Sequence, residues 1–236
     1  MSPPDVTGRG LRASLHSVVK LGRSPDENED SAAVDAAGGR FAVADGAATS
    51  ARAEVWSRIL VDAYVHDAVE PCAALTVLRG RWLAAVSAPD LPWYAQAKLL
   101  RGGAATFAGL TLDAAARTYR VTAVGDSCVF HFRGADLLLA APIADSAAFN
   151  RFPAALSTRP EDGPMECPLW TGEYRPGDVF VLATDALAKF ILTRHETHRG
   201  TPPIEALRAD FSRRVAGYRR RGLLGNDDTT LCVVHP

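Results

Sequence analysis

Four short apolar runs of this 236-residue chain begin or end on aspartate, and that arrangement restricts the fold more than any other feature. Asp45 follows "FAVA", Asp126 follows "VTAVG", Asp185 follows "VFVLAT", and Asp227 with Asp228 precedes "TLCVV". Runs this short and this apolar read as strands buried on both faces. One aspartate at a strand end is ordinarily a turn former or a helix N-cap. Four such ends change the balance, because carboxylates gathered together repel and lose hydration, so they need protonation or a counter-ion. No histidine or cysteine stands at ligand spacing beside them, and the fitting counter-ions are hard, oxygen-seeking divalent cations, Mg²⁺ or Mn²⁺.

Between these ends the periodicity alternates between strand and helix. "HSVVKLGRSPDENEDSAAV" giving way to "GGRFAVADG" predicts two short strands joined by a Gly-Gly turn, with an acid cluster at the start of the first. After Ser50, the residues Val55, Trp56, Ile59, Leu60, Ala63 and Tyr64 recur at helical spacing on one face. Further helical stretches are predicted at 73–86 and 93–101, broken by Pro89 and Pro92. From Ala104 to Ala140 the turn signals "DAAA", "GD" and "RGA" divide an antiparallel meander. Residues 141–175, with five prolines and little periodicity, read as a flap-like excursion. "GDVFVLATDALAKFIL" predicts strand into helix, Ile204, Leu207, Phe211 and Val215 predict one amphipathic helix, and "TTLCVV" the last strand. Without an internal repeat or a composition break, residues 1–236 read as a single domain.

Composition excludes some functions. Lys and Arg number 26 against 27 acids, and the only basic clusters, Arg213–Arg214 and Arg219–Arg221, read as a solvated helix end, so no nucleic-acid partner is expected. No run approaches the roughly 18 apolar residues of a membrane span, and the first residues lack signal-peptide order, so a cytoplasmic, monomeric protein is expected. The four cysteines, Cys72, Cys128, Cys167 and Cys232, form no C-x-x-C pair and read as buried reduced thiols. Trp56, Trp82, Trp93 and Trp170 read as packing residues, and the six histidines are scattered.

"NEDS" (28–31), "ADG" (44–46), "GGAAT" (102–106), "GDS" (125–127), "ATDAL" (183–187) and "DDTTLCVV" (227–234) stand in the order in which a family uses such motifs. In them the chain resembles the metal-dependent type-2C serine/threonine phosphatases, bacterial branch, over nearly its whole length. The resemblance implies an α+β fold, a four-layer α-β-β-α sandwich with two central antiparallel sheets. It implies a phosphoprotein phosphatase, opposing a Ser/Thr kinase, in which a water or hydroxide bridging two divalent ions about 3.5–4 Å apart attacks phosphoserine or phosphothreonine. By similarity Asp45 bridges the two Mn²⁺ or Mg²⁺ ions, the Gly46 carbonyl reaches one, and Asp185 and Asp227 hold the other. Asp126 resembles the ligand of a third, weaker ion, and Glu29 and Asp30 match acids that act through metal-bound water.

The chain also departs from that family. Its phosphate-gripping arginine falls at Pro25, leaving Arg23 or Arg52 as candidates for the role. Ala47-Ala48 and Ala186 stand where the family has glycines, so these turns are expected to adopt ordinary backbone angles. Two other site readings fail on sequence: "GDS" lacks the glycines of a serine-nucleophile turn, and "NDDTT" lacks the spacing of an aspartyl-nucleophile phosphatase. The alternative at the level of function is a pseudophosphatase, a regulatory binding domain of the same fold.

Overall fold

The computed structural model describes residues 5–8, 10–87, 99–198 and 204–236. Its strands are β1 (Val6–Gly8), β2 (Leu11–Val18), β3 (Asp30–Asp35), β4 (Arg40–Gly46), β5 (Ala104–Asp113), β6 (Thr118–Val124), β7 (Cys128–Arg133), β8 (Asp136–Ala141), β9 (Leu156–Ser157), β10 (Leu169–Glu173), β11 (Asp178–Ala183) and β12 (Thr229–His235). The helices are α1 (Ala53–Val65), α2 (Leu75–Val86), α3 (Asp185–His198), α4 (Ile204–Ala209) and α5 (Phe211–Arg220). One sheet runs β1-β2-β12-β11-β7-β8 and the other β10-β6-β5-β4-β3, with β9 paired to β5. Every pairing is antiparallel.

Strand parity builds the layers. Phe41 and Val43 of β4 point between the sheets, where they share a core with Phe180 and Leu182 of β11 and Cys232 and Val234 of β12. Ala42 and Ala44 point outward, onto Trp56, Leu60 and Tyr64 of α1. On the opposite side Val181, Leu231 and Val233 meet α3, α4 and α5 through Leu187, Ile191, Leu207 and Val215. The result is helix, sheet, sheet, helix, as expected from the sequence. Both faces of the central strands are covered, and for that reason they read as unbroken apolar runs.

Several expectations need correction. The stretch 104–140 is not one meander: β5 and β6 lie in one sheet and β7 and β8 in the other, so the Gly125-Asp126 turn carries the chain across the sandwich. The helix read through Ile204–Val215 is two helices parted at Asp210, whose extended φ of −146° cannot continue a helical turn. The reduced-thiol reading fails for one pair. Cys72, between α1 and α2, and Cys167, in the excursion, form a disulfide with their Cα atoms 5.9 Å apart, while Cys128 and Cys232 are free and buried. Both bonded cysteines pack against the α1–α2 core, which brings together stretches 95 residues apart in sequence. The helix predicted at 93–101 falls mostly outside the described residues. The 141–175 excursion is stitched to the sheets, with β9 on β5 and β10 on β6. Among the described residues no helix is long and apolar enough to cross a membrane.

Candidate active site

The sandwich opens at one end, where strands of both sheets terminate on acids. Asp30 begins β3 and stands directly across from Asp45 in the β3–β4 register. Asp45 in turn pairs with Thr106 of β5. Gly46 ends β4 at a point where a Cβ would lie 2.8 Å from the Glu29 carbonyl oxygen and 2.8 Å from Ala53 Cβ. Glycine is therefore required for the backbone of β4 to pass between β3 and the start of α1. Its N–H donates to Glu29 O at 3.2 Å. Neither Ala47 nor Ala48 has a positive φ; the left-handed residue of this turn is Arg52, at φ 49°, from which α1 departs.

The second sheet supplies the other acids. Asp185 opens α3 immediately after β11, and Asp227 and Asp228 precede β12. Asp126 occupies the crossing turn after Gly125, whose φ is +91°; a Cβ there would sit 2.4 Å from the Ala154 carbonyl oxygen. A cleft of about 500 Å³ brings Asp126, Asp185 and Asp227 to one surface. Burial raises the Asp45 carboxyl well above the usual range, and the charges of Asp30, Asp185, Asp227 and Asp126, in that order, raise it further. Burial, then the Asp185 charge, pushes Asp126 up to about 7. Asp185 is pushed to about 6 by burial and then by Asp227. Four carboxylates, Asp30, Asp45, Asp126 and Asp185, thus converge in a poorly hydrated place, with the exposed Asp227 beside them.

Two of the six sequence-predicted acids are tied into the scaffold. Asp30 Oδ2 accepts from Thr184 Oγ1 at 2.9 Å and Thr230 Oγ1 at 2.7 Å, joining the sheets at their open end. Its Oδ1 is buried without a partner, and burial pushes the group up to about 8. Glu29 receives Lys20 Nζ at 2.8 Å. Arg23 donates to Glu27 at 2.5 Å, and Arg52 donates to Glu54 at 2.6 Å, so a neighbouring glutamate holds each candidate phosphate ligand.

Three supporting residues were given no site role by the sequence reading. Asp228 is buried, its Oδ1 accepting Lys20 N at 2.7 Å and its Oδ2 Glu29 N at 2.9 Å. Lys20 Nζ lies 3.7 Å from Asp227 and 3.8 Å from Asp228; burial opposes its charge, but the Glu29 hydrogen bond and these carboxylates outweigh burial and raise its pKa. Arg219, read as part of a solvated helix end, is 9% exposed. It donates to Val19 O at 2.9 Å, to Thr229 Oγ1 at 2.9 Å and to the Asp227 carbonyl, fixing the loop that carries Asp227. A contiguous "RRR" holds no signal that its first member turns inward.

Does a divalent cation suit these residues? The donors are all carboxylate or carbonyl oxygens, the set preferred by Mg²⁺ and Mn²⁺. Asp126 Oδ1 and Asp30 Oδ1 are buried with no hydrogen-bond partner, leaving lone pairs for an electrophile. Among the described residues no three such side chains close into a preformed cage. That agrees with cations that retain several waters and use few direct carboxylates. The residues fit.

With this geometry in hand, comparison with solved structures finds the same fold in several phosphatases. Similar structures include the photosystem II phosphatase PBCP, 18% identical with a TM-score of 0.64 over 96% of this chain and 99% of that one. The catalytic domain of the serine/threonine phosphatase PstP, solved with two manganese ions, is 22% identical with a TM-score of 0.61 over 95% and 97%. Stp1 from Staphylococcus aureus is 14% identical with a TM-score of 0.66 over 98% and 96%. No sequence-family model matches the chain, and no curated protein matches it by sequence.

Proposed function

We propose that this chain is a metal-dependent phosphoprotein phosphatase acting on phosphoserine or phosphothreonine. The observation that carries the reading is the convergence of three desolvated carboxylates, Asp45, Asp126 and Asp185, with the exposed Asp227, whose charge acts on all three, at the open end of the sandwich. Likeness of fold to known phosphatases supports it.

In this reading Asp45, the Gly46 carbonyl, Asp185 and Asp227 hold two Mn²⁺ or Mg²⁺ ions, and Asp126 a third. When bound, such ions lower the pKa of a water and offset the charge of phosphoryl oxygens. The chain's own part is to aim and fix the donors. Arg219 anchors the Asp227 loop, Thr184 and Thr230 fix Asp30 beside Asp45, and Lys20 holds Glu29 at the rim. Ser127, next to Asp126, is not placed as a covalent nucleophile: its hydroxyl is fully buried and bonded to Thr106 Oγ1 at 2.7 Å.

The test is hydrolysis of p-nitrophenyl phosphate and of a phosphothreonine peptide with and without Mn²⁺. Asp45→Asn and Asp227→Asn should each abolish the Mn²⁺-dependent rate. No hydrolysis, together with no Mn²⁺-dependent rise in melting temperature, would establish a binding domain of the same fold instead.

A further inference from the structure

We propose that Arg151 and Lys189 are the pair that grips the substrate phosphate, in place of the missing arginine at Pro25. The inference rests on the phosphatase reading above. The cleft holding Asp126, Asp185 and Asp227 is also lined by Arg151 and Lys189. Lys189 lies four residues beyond Asp185 on α3, so both side chains occupy the same helix face over the cleft. Arg151 arrives from the excursion, beside Asn150, whose side chain accepts the Phe152 N–H at 2.8 Å. A segment outside the helices and sheets thus brings its cation to the cleft that α3 lines.

Availability separates this pair from its rivals. Arg23 and Arg52 are each neutralised by a glutamate at 2.5 and 2.6 Å. Lys20 is shared among Glu29, Asp227 and Asp228. Arg23 and Lys20 also line a different, smaller cavity of about 330 Å³, whose remaining lining includes Asp26, Glu27, Glu29 and Glu54. Neither Arg151 nor Lys189 forms an ion pair with any described residue. A phosphate dianion entering past three carboxylates needs unpaired positive charge along the same cleft. A guanidinium fork can donate to two phosphate oxygens at once, and an ammonium adds a compact charge that follows the third.

The experiment measures Arg151→Ala, Lys189→Gln and the double variant, at saturating Mn²⁺, against a phosphothreonine peptide. Both residues are exposed at the cleft, so melting temperatures near wild type are expected. Each single substitution should raise KM about 10-fold, the effect expected for loss of one charge-assisted hydrogen bond. Inhibition by inorganic phosphate should weaken by the same factor, and Arg151→Lys should recover part of it. Manganese affinity by calorimetry should be unchanged in Arg151→Ala and no weaker in Lys189→Gln. A double variant with KM and phosphate inhibition within twofold of wild type would overturn the assignment. So would a rise in KM confined to Arg23→Ala or Arg52→Ala. Should wild type hydrolyse nothing, calorimetry with inorganic phosphate on the Mn²⁺-loaded protein still decides. Binding lost in the double variant supports the pair, and equal binding or none in wild type refutes it.

Discussion

Asp126 offers a quantitative test of whether this site is built around missing positive charge. Its carboxyl is 4% exposed, one oxygen has no hydrogen-bond partner, and its pKa is raised from 3.8 to about 7. A pKa raised on folding means that the protonated group favours the native state below about pH 4, a contribution lost as pH climbs through 7. Each pH unit across that span is worth about 1.36 kcal/mol, so at pH 8 the ionised side chain costs the metal-free fold about 4 kcal/mol. Asp126→Asn keeps the shape and removes the charge. In EDTA the variant should match wild type near pH 4 and exceed it by about 4 kcal/mol at pH 8, a rise of about 10 °C in melting temperature for a chain of this length. Denaturant melts and calorimetry across pH 4–8 measure both. Adding Mn²⁺ should reverse the order, stabilising wild type more than the variant. A gain independent of pH, or no gain at pH 8, would refute the account of a charge held for a cation.

Other outcomes follow from the scaffold. Arg219→Ala removes a donor from the Val19 carbonyl, Thr229 Oγ1 and the Asp227 carbonyl, the last of which keeps the Thr229 hydroxyl, and should cost about 2–3 kcal/mol, while weakening Mn²⁺ binding roughly 10-fold through the loosened Asp227 loop. Cys167→Ser should lower stability by about 2–4 kcal/mol, and a reductant should lower wild type equally but leave the variant unmoved. Gly125→Ala forces a Cβ against the Ala154 carbonyl at a φ of +91° and should cost at least about 2 kcal/mol in a urea melt, with loss of Mn²⁺ binding at the neighbouring Asp126.

The central strands were legible because burial on both faces leaves a continuous apolar run, and the aspartates stood out as the points where each run stopped. β2 was not read as a strand. In "LRASLHSV" the positions facing the helices are Ser14 and His16, buried but polar, so the run never forms. The crossing at Gly125-Asp126 has the local signature of a hairpin turn, and nothing within a few residues of it distinguishes a turn within one sheet from a step to the other. Asp227 and Asp228 looked equivalent in sequence, yet one is 53% exposed in the cleft and the other 3% exposed beneath it. Their difference depends on Lys20 and Glu29, about 200 residues away, and so did the pairing of Cys72 with Cys167 depend on contacts far along the chain. Local pattern reveals which residues end a strand; only the assembled sandwich decides which of them face a ligand.

The Asp228 carboxylate binds the backbone of Lys20 and Glu29, 208 and 199 residues earlier, and β12 lies between β2 and β11. A chain being synthesised therefore presents β3, β4 and α1 long before the strand that completes their sheet-to-sheet seam. Asp45 and Asp30 are exposed to water during that interval, where their carboxylates carry no penalty and have no use. The site forms only with the last strand, so no truncated or half-made chain is expected to carry the activity.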